Sequence, residues 1–135
     1  MIPEPLPSPQ VGALAAFGLQ HAIASIRRGG PLVPLVIAET SAGRSMERHL
    51  AERLEDSVEL ARDSARASSA DRIAVLYDGY LTLDHGRTDA IFAEIHERGS
   101  AIAHVFARRY TPRGVLRRNS ARGDVVYLGP AAPLR

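Results

Sequence analysis

At 135 residues, with 45% apolar and 24% charged positions, the chain is sized and composed for one globular domain around a single core. Cysteine is absent, which excludes a disulfide framework, a thiolate nucleophile and any cysteine-ligated zinc or iron–sulfur centre. The net charge is +2 and all seventeen basic residues are arginine, a usage that points to GC-rich coding and not by itself to nucleic acid.

The apolar runs are far shorter than a membrane span. MIPEPLPSPQ carries an acidic residue and four prolines where a signal peptide needs a positive region and an apolar core. A soluble, cytoplasmic protein is expected. Its proline punctuation predicts a flexible N-terminus over 1–8, followed by a single domain over 9–129 and a flexible tail over 130–135.

Ser8 stands where an N-cap belongs, with Pro9 at the first helical position. Val11, Leu14, Ala15, Leu19, Ala22, Ile23 and Ile26 then recur at three- and four-residue spacing, predicting an amphipathic helix over about 10–28, ended by Gly29-Gly30. PLVPLVIAET is an apolar run of strand length, about 32–39. Pro34 removes one ladder donor, so the strand is expected at an edge or to begin after that residue. TSAGRS leads into a second expected helix, about 44–66, with a stripe of Met46, Leu50, Leu54, Val58, Ala61 and Ala65.

From Asp71 to Tyr110 the pattern predicts a three-stranded meander with turns at His85-Gly86 and Arg98-Gly99. Two-residue loops would set Asp84 opposite Arg87, Leu76 and Ile102 opposite Ile95, Ile91 opposite Phe106, Tyr77 opposite Glu94 and Gly79 opposite Phe92. One face then carries Leu76, Tyr80, Ile91, Ile95, Ile102 and Phe106 and is expected to take both helices. The other carries Val75, Tyr77, Leu81, Leu83, Phe92, Glu94, His96, Ala103 and Val105. That face is too apolar to be simply solvated; either one helix crosses behind the sheet or a second copy of the chain covers it, and the second copy is expected. A last short strand is expected at Asp124–Leu128. The order α-β-α-β-β-β-β gives an α+β fold, two helices packed on a mostly antiparallel sheet of about five strands.

Tyr77, Glu94 and His96 share a strand face, a grouping able in principle to hold a divalent metal or to move protons. His104 and Asp78, the obvious further ligands, fall on the opposite face. A Tyr77–Glu94 hydrogen bond is the simpler account. Asp89 and Glu94 are five apart on one strand and so face opposite ways, against a two-carboxylate nuclease site; Asp89 is expected to pair with Arg108. SAGRS, between a strand and a helix, has one glycine and no Lys-Ser/Thr pair, so Thr40, Ser41 or Ser45 is expected to cap the helix and not to cradle phosphate. Ser41 and Ser45 lack the G-x-S-x-G turn of a nucleophile. Arg108, Arg109, Arg113, Arg117, Arg118 and Arg122 form the one concentrated basic patch, with only Tyr110 and Tyr127 as aromatic neighbours.

The expected function is that of a small bacterial, non-enzymatic interaction or accessory module that forms a homodimer through the second sheet face and has room for a protein partner. No cofactor is implied, no membrane, and nucleic acid is not favoured. The alternatives are a metal-binding protein or metal-dependent hydrolase or nuclease centred on Tyr77, Glu94 and His96, and nucleic-acid binding through Arg108–Arg122.

Overall fold

The computed structural model describes residues 6–27, 31–84, 86–111 and 120–135, with backbone alone for 120–122. Two helices and six strands follow in the order α1 (Pro9–Ser25), β1 (Leu35–Thr40), β2 (Gly43–Arg48), α2 (Leu54–Arg66), β3 (Arg72–Leu83), β4 (Gly86–Glu97), β5 (Ala103–Thr111) and β6 (Ser120–Ala131). The strands form one sheet, ordered β2-β1-β3-β4-β5-β6. Every neighbouring pair is antiparallel, so the fold is α+β as expected, with six strands where about five were expected.

Helix α1 begins as its sequence dictates. The Ser8 hydroxyl accepts a hydrogen bond from the Val11 N–H at 3.1 Å, and Pro9 occupies the first turn, where its missing N–H costs nothing. The helix buries Val11, Leu14, Leu19 and Ile23 against Leu35, Ile37, Leu76, Ile91, Ile95 and Phe106 of the first sheet face. It ends at Ser25, with Ile26 as its C-cap. The expected terminator Gly29-Gly30 lies outside the described residues, as does most of the N-terminus expected to be flexible. Strand β1 starts directly after Pro34 and lies inside the sheet between β2 and β3, so the second of the two placements offered by that proline holds.

The largest departure is at 43–48. These residues were expected to open the second helix, but Gly43–Arg48 turns back on β1 as an edge strand, with Thr40 opposite Gly43 and Leu35 opposite Arg48. Ser41 and Ala42 form the intervening turn. Gly43 supplies a φ of 130°, and the Thr40 hydroxyl accepts from the Ala42 N–H at 3.2 Å. None of Thr40, Ser41 and Ser45 therefore caps a helix. α2 starts later, at Leu54, with Arg53 as N-cap and no side-chain cap bond. Ser57 stitches its entry instead, accepting from the Ala51 N–H at 2.7 Å and donating to the Arg53 carbonyl at 3.2 Å.

Both meander turns differ from the expected ones by the same amount. In the first hairpin Leu83 pairs with Gly86, so the loop is Asp84 with residue 85, and Leu76 faces Ala93 where Ile95 was expected. In the second, Ile95 faces His104 and Ile91 faces Arg108, and the loop spans 98–102. Each register moves by two residues. Because side chains alternate with period two, every residue stays on the face assigned to it.

Part of the second face is covered within the chain. α2 crosses behind the sheet, over β1 and β3, and packs Ala61 and Ala65 on Val36, Ile73 and Val75, with Ala103 and Leu134 completing this smaller core. The expectation that both helices share one face is thus corrected. The apolar second face recruits the remaining amphipathic helix, and alanines let it approach closely. β6 is longer than the expected strand, and Ala132–Arg135, expected to be a flexible tail, is seated, with Leu134 buried. Among the described residues no helix is long and apolar enough to cross a membrane.

Candidate functional site

Tyr77 comes from β3 and Glu94 and His96 from β4, all on the second face. Tyr77 lies directly opposite Phe92, not Glu94, and the two rings stack with centroids 5.7 Å apart. Glu94 lies opposite Val75, one step along the diagonal, and its Oε2 still accepts the Tyr77 hydroxyl hydrogen bond. The same oxygen accepts from Nη2 of Arg62 on α2 at 2.8 Å. The Arg62 guanidinium also lies 5.4 Å from the centre of the Tyr77 ring and 3.3 Å from Glu59.

These contacts shift the ionisation of Tyr77 and Arg62. Burial, and then the hydrogen bond to Glu94, raise the Tyr77 phenol well above its usual range, so it stays protonated and is no base or nucleophile at neutral pH. The hydrogen bond to Glu94 raises Arg62, which remains a cation. Glu94 thus joins the Tyr77 phenol to the Arg62 guanidinium, an arrangement that ties α2 to the sheet. Arg62 was not singled out from sequence. Its one signal is its position beside the stripe Val58, Ala61, Ala65, which turns it towards the sheet.

His96 does not join Tyr77 and Glu94. It is 2% exposed and bonded at both ring nitrogens, Nε2 at 2.8 Å from the Ser100 carbonyl and Nδ1 at 3.1 Å from Nε of Arg135. An arginine can only donate, so Nδ1 is the acceptor and Nε2 carries the proton. His104 and Asp78 sit on the first face, as expected. The His104 Nδ1 lies 2.7 Å from the Tyr127 hydroxyl, and the Tyr110 hydroxyl donates to both Asp78 oxygens at 2.8 Å. Burial raises the Asp78 carboxyl from its usual value, with the nearby Asp89 charge adding to the rise and the Tyr110 bond opposing it. Among the described residues no three His, Asp or Glu side chains are grouped to hold a metal.

Asp89 and Arg108 do not pair. The two-residue register difference sets Asp89 opposite Tyr80 and Arg108 opposite Ile91, and Arg108 donates to the Gly123 carbonyl at 3.3 Å. Arg108 and Arg109 are neighbours on β5, beside a register irregularity with β6, and both side chains reach Gly123. Arg113, Arg117 and Arg118 lie outside the described residues, and Arg122 is placed by backbone only, opposite Arg109. The SAGRS segment, now a hairpin turn, opens no helix and has lost the geometry of a phosphate loop.

Two cavities flank these groups. One of about 340 Å³ lies between the first turns of α2 and β3, lined by Leu54, Val58, Glu59, Arg62 and Tyr77. An open cleft of about 600 Å³ between α1 and the β1–β2 turn is lined by Gln10, Glu39, Thr40, Arg44 and Arg72. Its charges are spent on one another. Glu39 binds Arg44 at 2.7 Å and Arg72 at 2.5 Å. Burial pushes its carboxyl up, but the bonds from Arg72 and Arg44 outweigh that and hold it below the usual range. No family model, curated protein or solved structure matches the chain.

Proposed function

We propose that the protein is a non-enzymatic interaction or accessory module of the bacterial cytoplasm, and that it self-associates as a homodimer through the part of the second sheet face that α2 leaves uncovered. One observation carries this reading. Tyr77, Phe92, Ala107 and Val126 form a row straight across β3, β4, β5 and β6 on that face, while α2 packs mainly over β1 and β3. Along the row Ala107 is buried, Phe92 and the adjacent Val105 are half-buried, and Val126 at its β6 end is 43% exposed. An apolar row on a sheet face is the kind of surface that a two-fold contact buries, each copy presenting the same residues.

The state of the polar groups supports the non-enzymatic half. Tyr77, Glu94, Arg62 and His96 each hold a partner within the chain, and a catalytic base or nucleophile would have to give one up. Sedimentation velocity from about 1 to 100 µM, spanning the affinities of ordinary dimers, tests the self-association. The expected result is a concentration-dependent shift to dimer that Val126→Glu reverses. A strictly monomeric native chain at tens of micromolar refutes it.

A further inference from the structure

The segment that follows β6 ends in a notch built almost wholly of acceptors. The Ser68 and Ala70 carbonyls, just past the C-terminal end of α2, the His96 carbonyl and the His96 Nδ1 converge on one point. The guanidinium of Arg135 fills it. Nη1 donates to the Ser68 carbonyl at 3.0 Å and the Ala70 carbonyl at 2.7 Å, Nη2 to the His96 carbonyl at 3.2 Å, and Nε to the His96 Nδ1 at 3.1 Å. Beside it Leu134 drops into the apolar pocket formed with Ala61, Ala65 and Ala103.

The chemistry of the notch selects its occupant. Four acceptors in a fork, three of them carbonyls, demand a donor-rich planar cation, and the guanidinium is the one side chain with five N–H groups in that geometry. An ammonium has three, disposed as a tetrahedron. The negative end of the α2 dipole favours positive charge at the same place, and the Asp71 carboxylate adds to it, against burial and the nearby Arg98 charge, which weigh on the Arg135 cation. The acceptors are held by the framework and not by the tail. His96 is fixed through Ser100, and residues 68 and 70 by the turn leaving the helix, where the Ser68 N–H donates to the Ala65 carbonyl at 3.1 Å and the Ala70 N–H to the Ser68 hydroxyl at 3.1 Å. Pro130 at the end of β6 and Pro133 in the residues that join it to the notch restrict the approach, neither having an N–H to give to a ladder.

We infer that this notch is a guanidinium-recognition site for an extended protein segment carrying an apolar residue followed by arginine, and that Leu134-Arg135 is its resident, displaceable ligand. The pair occupies the site as a pseudo-ligand, so a partner segment of the same chemistry binds only by taking its place. This surface is separate from the Phe92–Val126 strip and stands whether or not the chain dimerises.

The test uses the full-length chain with Arg135→Ala, titrated with the peptides Ac-Ala-Pro-Leu-Arg-NH2 and Ac-Ala-Pro-Leu-Lys-NH2, with the His96 imidazole followed by NMR. The arginyl peptide is expected to bind the variant in the millimolar range or tighter, and the lysyl peptide and the native chain to show binding at least about tenfold weaker. A folded variant that ignores the arginyl peptide at about 10 mM, or takes both peptides equally, overturns the inference. If Arg135→Ala does not fold, a nitroxide on Ala132→Cys, the only thiol in an otherwise cysteine-free chain, reports displacement in the native sequence. Excess arginyl peptide must then mobilise the label, and no change overturns the inference.

Discussion

Replacement of Glu94 tests the structural reading of the Tyr77–Glu94–Arg62 group directly. Its side chain is 13% exposed, and one carboxylate oxygen receives both the phenol and the guanidinium. Glu94→Gln keeps the shape and a carbonyl acceptor for Tyr77 but discharges the pair with Arg62. Arg62 is a third exposed, so solvent screens that pair, and the expected loss is only about 1 kcal/mol. Glu94→Ala also strands the Tyr77 hydroxyl in a largely buried position and leaves Arg62 without its inner partner. A hydrogen bond to a charged group, together with one desolvated donor, brings the expected loss to about 2–3 kcal/mol. Urea denaturation followed by circular dichroism at pH 7 measures both variants. The cycle Tyr77→Phe, Glu94→Ala and the double variant should return a coupling of about 1 kcal/mol. Losses below about 0.3 kcal/mol for both single variants, within the scatter of additivity, would refute the view that this group anchors α2 to the sheet.

Three further outcomes follow from neighbouring geometry. Burial lowers the His104 imidazole from 6.5 against the opposing pull of the Glu97 charge, so its neutral form contributes stability that is fully present above about pH 6.5 and is lost as the pH falls towards the folded value; His104→Gln should lessen the fall in urea stability between pH 7 and 5, and an unchanged profile contradicts the assignment. Burial raises Tyr77 and Tyr110, with hydrogen bonds to Glu94 and Asp78 adding to the rise, so their contribution holds below about pH 10 and is lost as the unfolded phenols ionise above it; Tyr110→Phe should flatten part of that alkaline loss in a thermal melt. A β-carbon at Gly79 would lie 3.0 Å from the Phe92 ring, which is stacked on Tyr77 and cannot swing away freely, so Gly79→Ala should cost about 1–2 kcal/mol, and a neutral effect would mean that the ring moves without penalty.

How far the fold was legible depended on which periodicity a segment obeyed. The α1 stripe, its Ser8-Pro9 start and the alternation of β3, β4 and β5 are local signals, and each element formed where it was expected. The turn positions were less legible, since a glycine marks a turn without saying which residue of the loop it occupies. Gly86 pairs as the first residue of β4, while Gly99 sits inside a five-residue loop. Segment 43–48 misled because Met46, Leu50 and Leu54 stand four apart. A four-residue step also returns a strand side chain to its own face, so the stripe fits both periods. Ser41-Ala42-Gly43 was the discriminating signal, read as a helix lead when it was hairpin chemistry.

The candidate site divides along the same line. That Tyr77 and Glu94 share a face followed from parity, and the parity survived both register differences. That His96 belongs elsewhere did not, because while Ser100 is only four residues on, its other partner Arg135 lies 39 residues away, and no local pattern announces a contact that long. Arg62 reaches Glu94 across 32 residues for the same reason. The question posed by the apolar second face also changes in scale. α2 and Leu134 account for Val36, Ile73, Val75 and Ala103, so what is left for another molecule is the strip from Phe92 to Val126 and not the whole face. A contact confined to that strip is small. Interfaces below about 1,200 Å² are commonly weak and transient, so micromolar and not nanomolar self-association is the expectation that this geometry sets.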